Sequence, residues 1–127
     1  PSQEVYLEPS AQPFEGKVYV LTSGETASAA EILTLSSMVL PQVTRVGSAT
    51  EGVFSDVLGK SLPIGWEFGL SNEIYESAEG KDYENQGIPA EKEFPYPRDT
   101  RAFYESLQTL ESEGDPAIEW VIKEVGN

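Results

Sequence analysis

The stretch from Val18 to Gly47 constrains the fold most. Val18-Tyr19-Val20-Leu21 is a continuous apolar run that stops at Thr22-Ser23-Gly24, and Val43-Thr44-Arg45-Val46-Gly47 is a second strand-like run. Unbroken apolar character suits a strand covered on both faces, as in a parallel or mixed sheet. Between the two runs the pattern is helical from about Thr26 to Leu40. Ala29, Ile32, Leu33 and Leu40 fall on one side, Leu35, Met38 and Val39 on others, and Glu31 is the only charge. A helix apolar nearly all round is expected to be buried, and Pro41 marks its end. Strand, buried helix and strand predict a βαβ-like unit over residues 17–47.

The remaining segments attach to this unit. Val5-Tyr6-Leu7 is a short extended candidate, followed by a Pro/Ser/Gln loop. Ser48 to Gly52 is a small-residue loop. Phe54 to Leu62 and Trp66 to Leu70 predict a hairpin joined through Pro63-Ile64-Gly65. In its second arm Trp66, Phe68 and Leu70 alternate with Glu67, Gly69 and Ser71, the period of a half-buried strand. Another extended piece near Glu73 to Tyr75 precedes an acidic loop, and residues 73–93 carry seven carboxylates against two lysines. The tail reads as helix. Phe103, Leu107 and Leu110 share a face, and Asp115-Pro116 opens a second segment through Ile118, Val121, Ile122 and Val125. There are no internal repeats, so residues 1–127 are expected to form one α/β domain.

Composition removes several classes of function. With 22 acidic against 8 basic residues and a net charge of −14, the chain lacks the basic face that nucleic acid requires. The same charge disfavours an anionic membrane surface. No apolar run approaches the about 18 residues needed to span a bilayer, and no signal peptide opens the chain. There is no cysteine and no histidine, which excludes disulfides, thiolate catalysis, Cys- or His-ligated metals and an in-chain Ser-His pair. The sequence begins Pro1-Ser2-Gln3 without an initiator Met, which reads as a processed product or an excised piece of something longer.

Ser28 stands at the centre of the small-residue turn. A nucleophilic serine needs an oxygen projecting from a rigid spot and backbone N–H groups aimed at the developing oxyanion. The first turn of a helix supplies unpaired N–H groups and a positive dipole end, and small neighbours admit a substrate carbonyl. Thr26-Ala27-Ser28-Ala29-Ala30 meets these needs. The competing account is that Thr26 or Ser28 merely caps the helix.

Phe14-Glu15-Gly16-Lys17-Val18-Tyr19-Val20-Leu21, then Thr26-Ala27-Ser28-Ala29-Ala30-Glu31, Val46-Gly47 and Thr50-Glu51-Gly52 resemble the catalytic half of the tail-specific (C-terminal-processing) serine proteases. The resemblance continues through Leu62-Pro63-Ile64-Gly65-Trp66 and Glu84-Asn85-Gln86-Gly87-Ile88-Pro89, spanning roughly residues 14–95. It implies a crotonase-like fold of stacked β-β-α units, of which this chain holds the C-terminal part. It also implies Ser28 as nucleophile and Ala29 as donor of an oxyanion N–H. Members using a Ser-Lys dyad carry the lysine directly after the glycine-rich turn, where this chain has Val53. Lys60, further along the hairpin, is a poor substitute and reads as a solvated strand-end residue. In the tricorn-like branch a histidine from an upstream segment is the base, and the glutamate of an E-N-x-G motif belongs to the tetrad. That nominates Glu84, whose competing account is one more exposed acid in an acidic loop.

The resemblance therefore implies a serine-type endopeptidase fragment acting on peptide or protein substrates through an acyl-enzyme. The base would come from a segment that precedes Pro1, so the fragment alone would be inactive or nearly so. It implies no metal or organic cofactor, and an extracytoplasmic location such as periplasm or cell envelope. The alternative is a non-catalytic module on the same fold that binds hydrophobic ligands, similar to the retinoid-binding relatives. A third option is a structural domain whose serine is only a cap. Apolar surface left by an absent half can also drive a homo-oligomer.

Overall fold

The computed structural model describes Glu8 and residues 10–126. The extended segment expected at Val5 to Leu7 lies outside the described residues. The first apolar run forms strand β1 (Val18–Thr22), and helix α1 (Ala29–Ser37) connects it to β2 (Val43–Gly47). The two strands pair in parallel, with Val18 beside Val43 and Thr22 beside Gly47, so the expected βαβ unit is present. The backbones close tightly at their carboxyl ends. A Cβ on Gly47, at φ +124°, would lie 2.0 Å from the Thr22 carbonyl oxygen, a position only glycine can hold.

Next comes an antiparallel hairpin of β3 (Val57–Ser61) and β4 (Glu67–Ser71), with Leu58 opposite Leu70 and Lys60 opposite Phe68. A two-residue strand, β5 (Lys92–Glu93), adds to the first sheet in parallel with β2, giving the order β1-β2-β5. The chain closes with α2 (Thr100–Glu113) and α3 (Pro116–Val125). Asp99 caps α2 by accepting from Ala102 N–H, and Asp115 caps α3 by accepting from Ala117 and Ile118 N–H. Pro116 occupies the first turn of α3, where its missing donor is harmless. Helix α3 packs on the sheet through Trp120, whose ring meets Tyr19 edge-on at 6.0 Å and lies 6.5 Å from Phe94. A second core joins Leu35 of α1 to Phe54, Tyr83 and Ile88, with Met38 and Tyr75 packed against them.

Several expectations are corrected. Helix α1 begins at Ala29 rather than Thr26, because Ser28 adopts a non-helical backbone with φ 54°. It is not buried all round, since Leu33 is 66% exposed while Glu31, Thr34 and Ser37 are buried. The inward stripe runs through Glu31, Thr34, Leu35 and Met38, at helical spacing. Its polar members are satisfied locally: Thr34 Oγ1 donates to Ala30 O and Ser37 Oγ to Thr34 O. β1 is not covered on both faces, because Leu21 is 44% exposed.

The first hairpin arm is shorter than expected, the second is shifted by one residue, and both are exposed at every residue. Alternation did place Leu58, Phe68 and Leu70 on one face, but the described residues leave that face uncovered, and Trp66 beside it is 71% exposed. The piece at Glu73 to Tyr75 forms no strand. Only an isolated Glu76–Asp82 bridge stands nearby.

Candidate active site

The turn from β1 into α1 is built by short polar side chains. Ser23 N–H donates to Thr26 Oγ1, and Thr26 N–H donates back to Ser23 O, each at 3.0 Å. Ser28 follows with φ 54° and ψ −124°, a conformation that strains a residue bearing a Cβ by about 1–3 kcal/mol. Neighbouring bonds hold it there. Ser28 N–H donates to Val53 O at 2.8 Å, and Ser28 O accepts from Glu31 N–H at 2.8 Å and Ile32 N–H at 3.1 Å.

Its side chain makes no cap bond and is exposed, so the capping account of Ser28 does not hold. Within the first turn, Ala30 N–H reaches Ala27 O, whereas Ala29 N–H makes no hydrogen bond among the described residues. An exposed hydroxyl thus emerges beside a free amide at the positive end of a helix.

Glu31 fixes the opposite wall. Ser28-Ala29-Ala30-Glu31 has the spacing of a capping box, in which the glutamate would reach back to the Ser28 amide. The fold uses the carboxylate differently. Fully buried, it accepts from Gly52 N–H through Oε1 and from Val53 N–H through Oε2, both at 2.7 Å. These are short, charge-assisted bonds. Glu51 N–H adds a bond to Thr26 O. The backbone from Glu51 to Val53 is therefore pinned to the serine turn and the first turn of α1 at three amides. Sequence reasoning gave Glu31 no role; its signal was a lone charge on an otherwise uncharged helix, three residues after Ser28.

The Glu84-Asn85-Gln86-Gly87 loop packs on the other side of Thr50 to Gly52. Thr50 is fully buried, its N–H donating to Ile88 O and its Oγ1 accepting from Ile88 N–H at 2.7 Å. Asn85 N–H donates to Gly52 O. A Cβ on Gly87, at φ +77°, would lie 2.0 Å from Thr50 O. Two loops distant in sequence are thereby pressed backbone to backbone.

Glu84 is half-buried, and its Oε2 accepts from Phe54 N–H at 3.0 Å. Val53 O and Phe54 N belong to one peptide group. Its oxygen takes Ser28 N–H and its N–H gives to Glu84, so a single peptide unit bridges the two residues nominated from sequence. They come together through this unit and not by direct contact. Val53, at the position where a Ser-Lys member has its lysine, offers only backbone bonds and a half-exposed apolar side chain. Lys60 sits in the exposed hairpin.

Two cavities lie at the carboxyl edge of the sheet. One, of 260 Å³, is lined by Leu21, Thr26, Phe103, Leu107, Leu110 and neighbours between the serine turn and α2. The other, of 420 Å³, is lined by residues after β2 and β5 together with Arg98. Beside the first, Tyr96 Oη donates to Asp115 Oδ1. Burial, and then this bond, raise the Tyr96 phenol above its ordinary value.

Comparison with known proteins completes the picture. Residues 2–93 match the profile of peptidase family S41. A candidate peptidase from Parabacteroides merdae superposes with a TM-score of 0.71 at 26% identity, covering 94% of this chain and 35% of that one. A lipoprotein from Streptococcus agalactiae gives 0.52 at 29% identity, covering 76% of this chain and 32% of that one. The tricorn protease shares the fold, with a TM-score of 0.63 at 18% identity over 98% of this chain and 12% of its own. The chain thus spans about a third of the length of the first two structures. No curated protein matches the sequence.

Proposed function

The chain belongs to peptidase family S41, and from that premise we propose that it is the nucleophile-bearing part of a serine-type endopeptidase catalytic domain. The observation that carries the proposal is the backbone of Ser28. A serine with a Cβ held at φ 54°, its side chain exposed and uncommitted to the helix it precedes, stores strain of the kind that collects at reacting groups. The same strand-to-helix geometry displays the serine of a nucleophile elbow.

In this reading Ser28 Oγ gives its proton to the base and attacks the scissile carbonyl; the C–N bond breaks, the amine leaves with that proton, and water then hydrolyses the acyl-enzyme. The Ala29 N–H donates to the oxyanion of the tetrahedral intermediate. Glu84 orients and electrostatically supports an imidazolium. The imidazole belongs to a segment outside these 127 residues, because the chain has no histidine. Val53 in place of a lysine and the Glu84 loop against the serine turn support the tricorn-like Ser-His branch of the tail-specific proteases over the Ser-Lys branch. The substrates are peptides or proteins and no cofactor takes part. An extracytoplasmic setting agrees with the lipoprotein among the similar structures; no described helix is long and apolar enough to cross a membrane. Nothing comparable favours the hydrophobic-ligand-binding alternative.

The test is fluorophosphonate labelling of the longer parent polypeptide. A covalent adduct on the tryptic peptide containing Ser28, absent from Ser28→Ala, is the expected result. Labelling at another serine, or peptide hydrolysis undiminished in Ser28→Ala, overturns it.

A further inference from the structure

We propose that the apolar face of the β3–β4 hairpin binds a second copy of this chain, two hairpins stacking face to face in a homodimer. The inference stands apart from the peptidase reading and concerns a surface that the site does not use. Three cross-strand pairs make the face: Leu58 with Leu70, Lys60 with Phe68, and Leu62 with Trp66. The last pair continues the ladder beyond the strands, Leu62 N–H donating to Trp66 O at 2.7 Å. Residues paired across an antiparallel ladder lie on the same side of the sheet, so the six form one stripe.

The first support is area. Each of the five apolar residues in the stripe is at least 41% exposed. Together they present about 600 Å², the upper end of what a monomer leaves uncovered. Two such faces in contact remove about 1,200 Å² from water, the least that a specific interface buries. A two-stranded hairpin is also marginal in water by itself. Stacked on another at the about 10 Å spacing of packed sheets, it gains the core that it lacks.

The second support is charge. The chain carries −14, yet residues 57–71 hold one lysine and one glutamate. Glu67 pairs with Ser61 on the reverse face, so Lys60 is the only charge in the apolar stripe. The acidic surface elsewhere repels a second copy, and here that repulsion is absent. Lys60 makes no ion pair among the described residues.

One symmetric arrangement makes the face complementary to itself. A two-fold axis along the strands lays each β3 over the partner's β4. Each Lys60 ammonium then meets the ring of a Phe68, a cation–π contact made twice. Leu58 meets Leu70, and Leu62 meets Trp66. A two-fold axis across the strands stacks Lys60 on Lys60 and is disfavoured by their like charge.

Sedimentation equilibrium of the 127-residue chain tests the proposal. The apparent mass should rise with concentration toward twice that of one chain, with a Kd of about 1–100 µM for so small an interface. Added salt should tighten the dimer, because it screens two acidic bodies from each other. Leu70→Asp sets a carboxylate against a leucine in a dry contact and should weaken association about a hundredfold or more. Lys60→Glu should weaken it about tenfold, and Lys60→Arg should preserve it. Ile122→Asp, on the exposed side of α3, should change nothing. All of these positions are exposed in the single chain, so the substitutions leave its fold intact. A single-chain mass at every concentration overturns the dimer, as does association undiminished in Leu70→Asp or equally lost in Ile122→Asp. So does protection of the hairpin amides from hydrogen exchange in a longer parent polypeptide that is itself monomeric, since its own chain would then cover the face. Ser28→Ala should dimerise like the parent chain, so this proposal and the nucleophile fail independently.

Discussion

The serine turn and the β3–β4 hairpin show opposite ways of holding a loop-rich segment in shape. Around Ser28 the backbone is fixed by side chains from remote elements. Glu31 grips two amides, Glu84 a third and Thr50 a fourth, and two glycines let the strands of loop touch. In the hairpin every residue of both strands is exposed, and Gly59 has open space where a Cβ would stand. The first region is determined from within the described residues. The second has a well-formed register and an apolar face that no described residue covers. Order at a site comes from buried polar bonds that admit one geometry, whereas alternation alone admits any partner that covers the face.

Breaking the strongest grip should give the largest effect. Glu31→Ala leaves two amides unpaired in the interior and should destabilise the chain by about 3 kcal/mol or more, read by urea denaturation. Faster hydrogen exchange at Gly52 and Val53 should accompany it. Gly87→Ala comes next, because its Cβ would meet Thr50 O at 2.0 Å on a backbone with φ +77°. A loss of about 2–4 kcal/mol is expected from the left-handed backbone and the clash together.

The Tyr96–Asp115 bond ties the segment before α2 to the cap of α3, and it sharpens the comparison at alkaline pH. The folded phenol holds its proton above the ordinary value of 10.0. The unfolded chain therefore ionises first, and stability present below pH 10 falls as pH rises beyond it. A stability–pH profile of Tyr96→Phe should lose that part of the decline. The smallest effect belongs to the hairpin: Gly59→Ala should move stability by less than about 0.5 kcal/mol. A large loss there would mean that the hairpin is as tightly determined as the serine turn.

What could be read in the sequence follows the same division. The parallel β1–α1–β2 unit and the Asp115-Pro116 helix start were legible because they are written in local pattern: an apolar run, a helical stripe, a cap followed by proline. The start of α1 was misplaced by three residues because Thr26 and Ala27 tolerate a helix, and the positive φ of Ser28 is imposed by the Val53 carbonyl from across the site. Burial of α1 was misread because apolar residues were counted, while the inward stripe is half polar and satisfied by hydrogen bonds. The clamp by Glu31 depends on Gly52 and Val53 being brought beside it, which no spacing along the chain records. Ser28 and Glu84 were both legible as residues of interest. The peptide unit that joins them was not.

The account rests on the claim that the backbone at position 28 is strained so that its hydroxyl can stand free. Equilibrium denaturation of Ser28→Gly measures that strain most directly. Glycine accepts φ 54° without a Cβ, so the substitution should stabilise the chain by about 1 kcal/mol, while Ser28→Ala should give no such gain. A Ser28→Gly variant that is less stable than the parent chain would contradict the account, since the serine side chain would then be supporting the fold instead of burdening it.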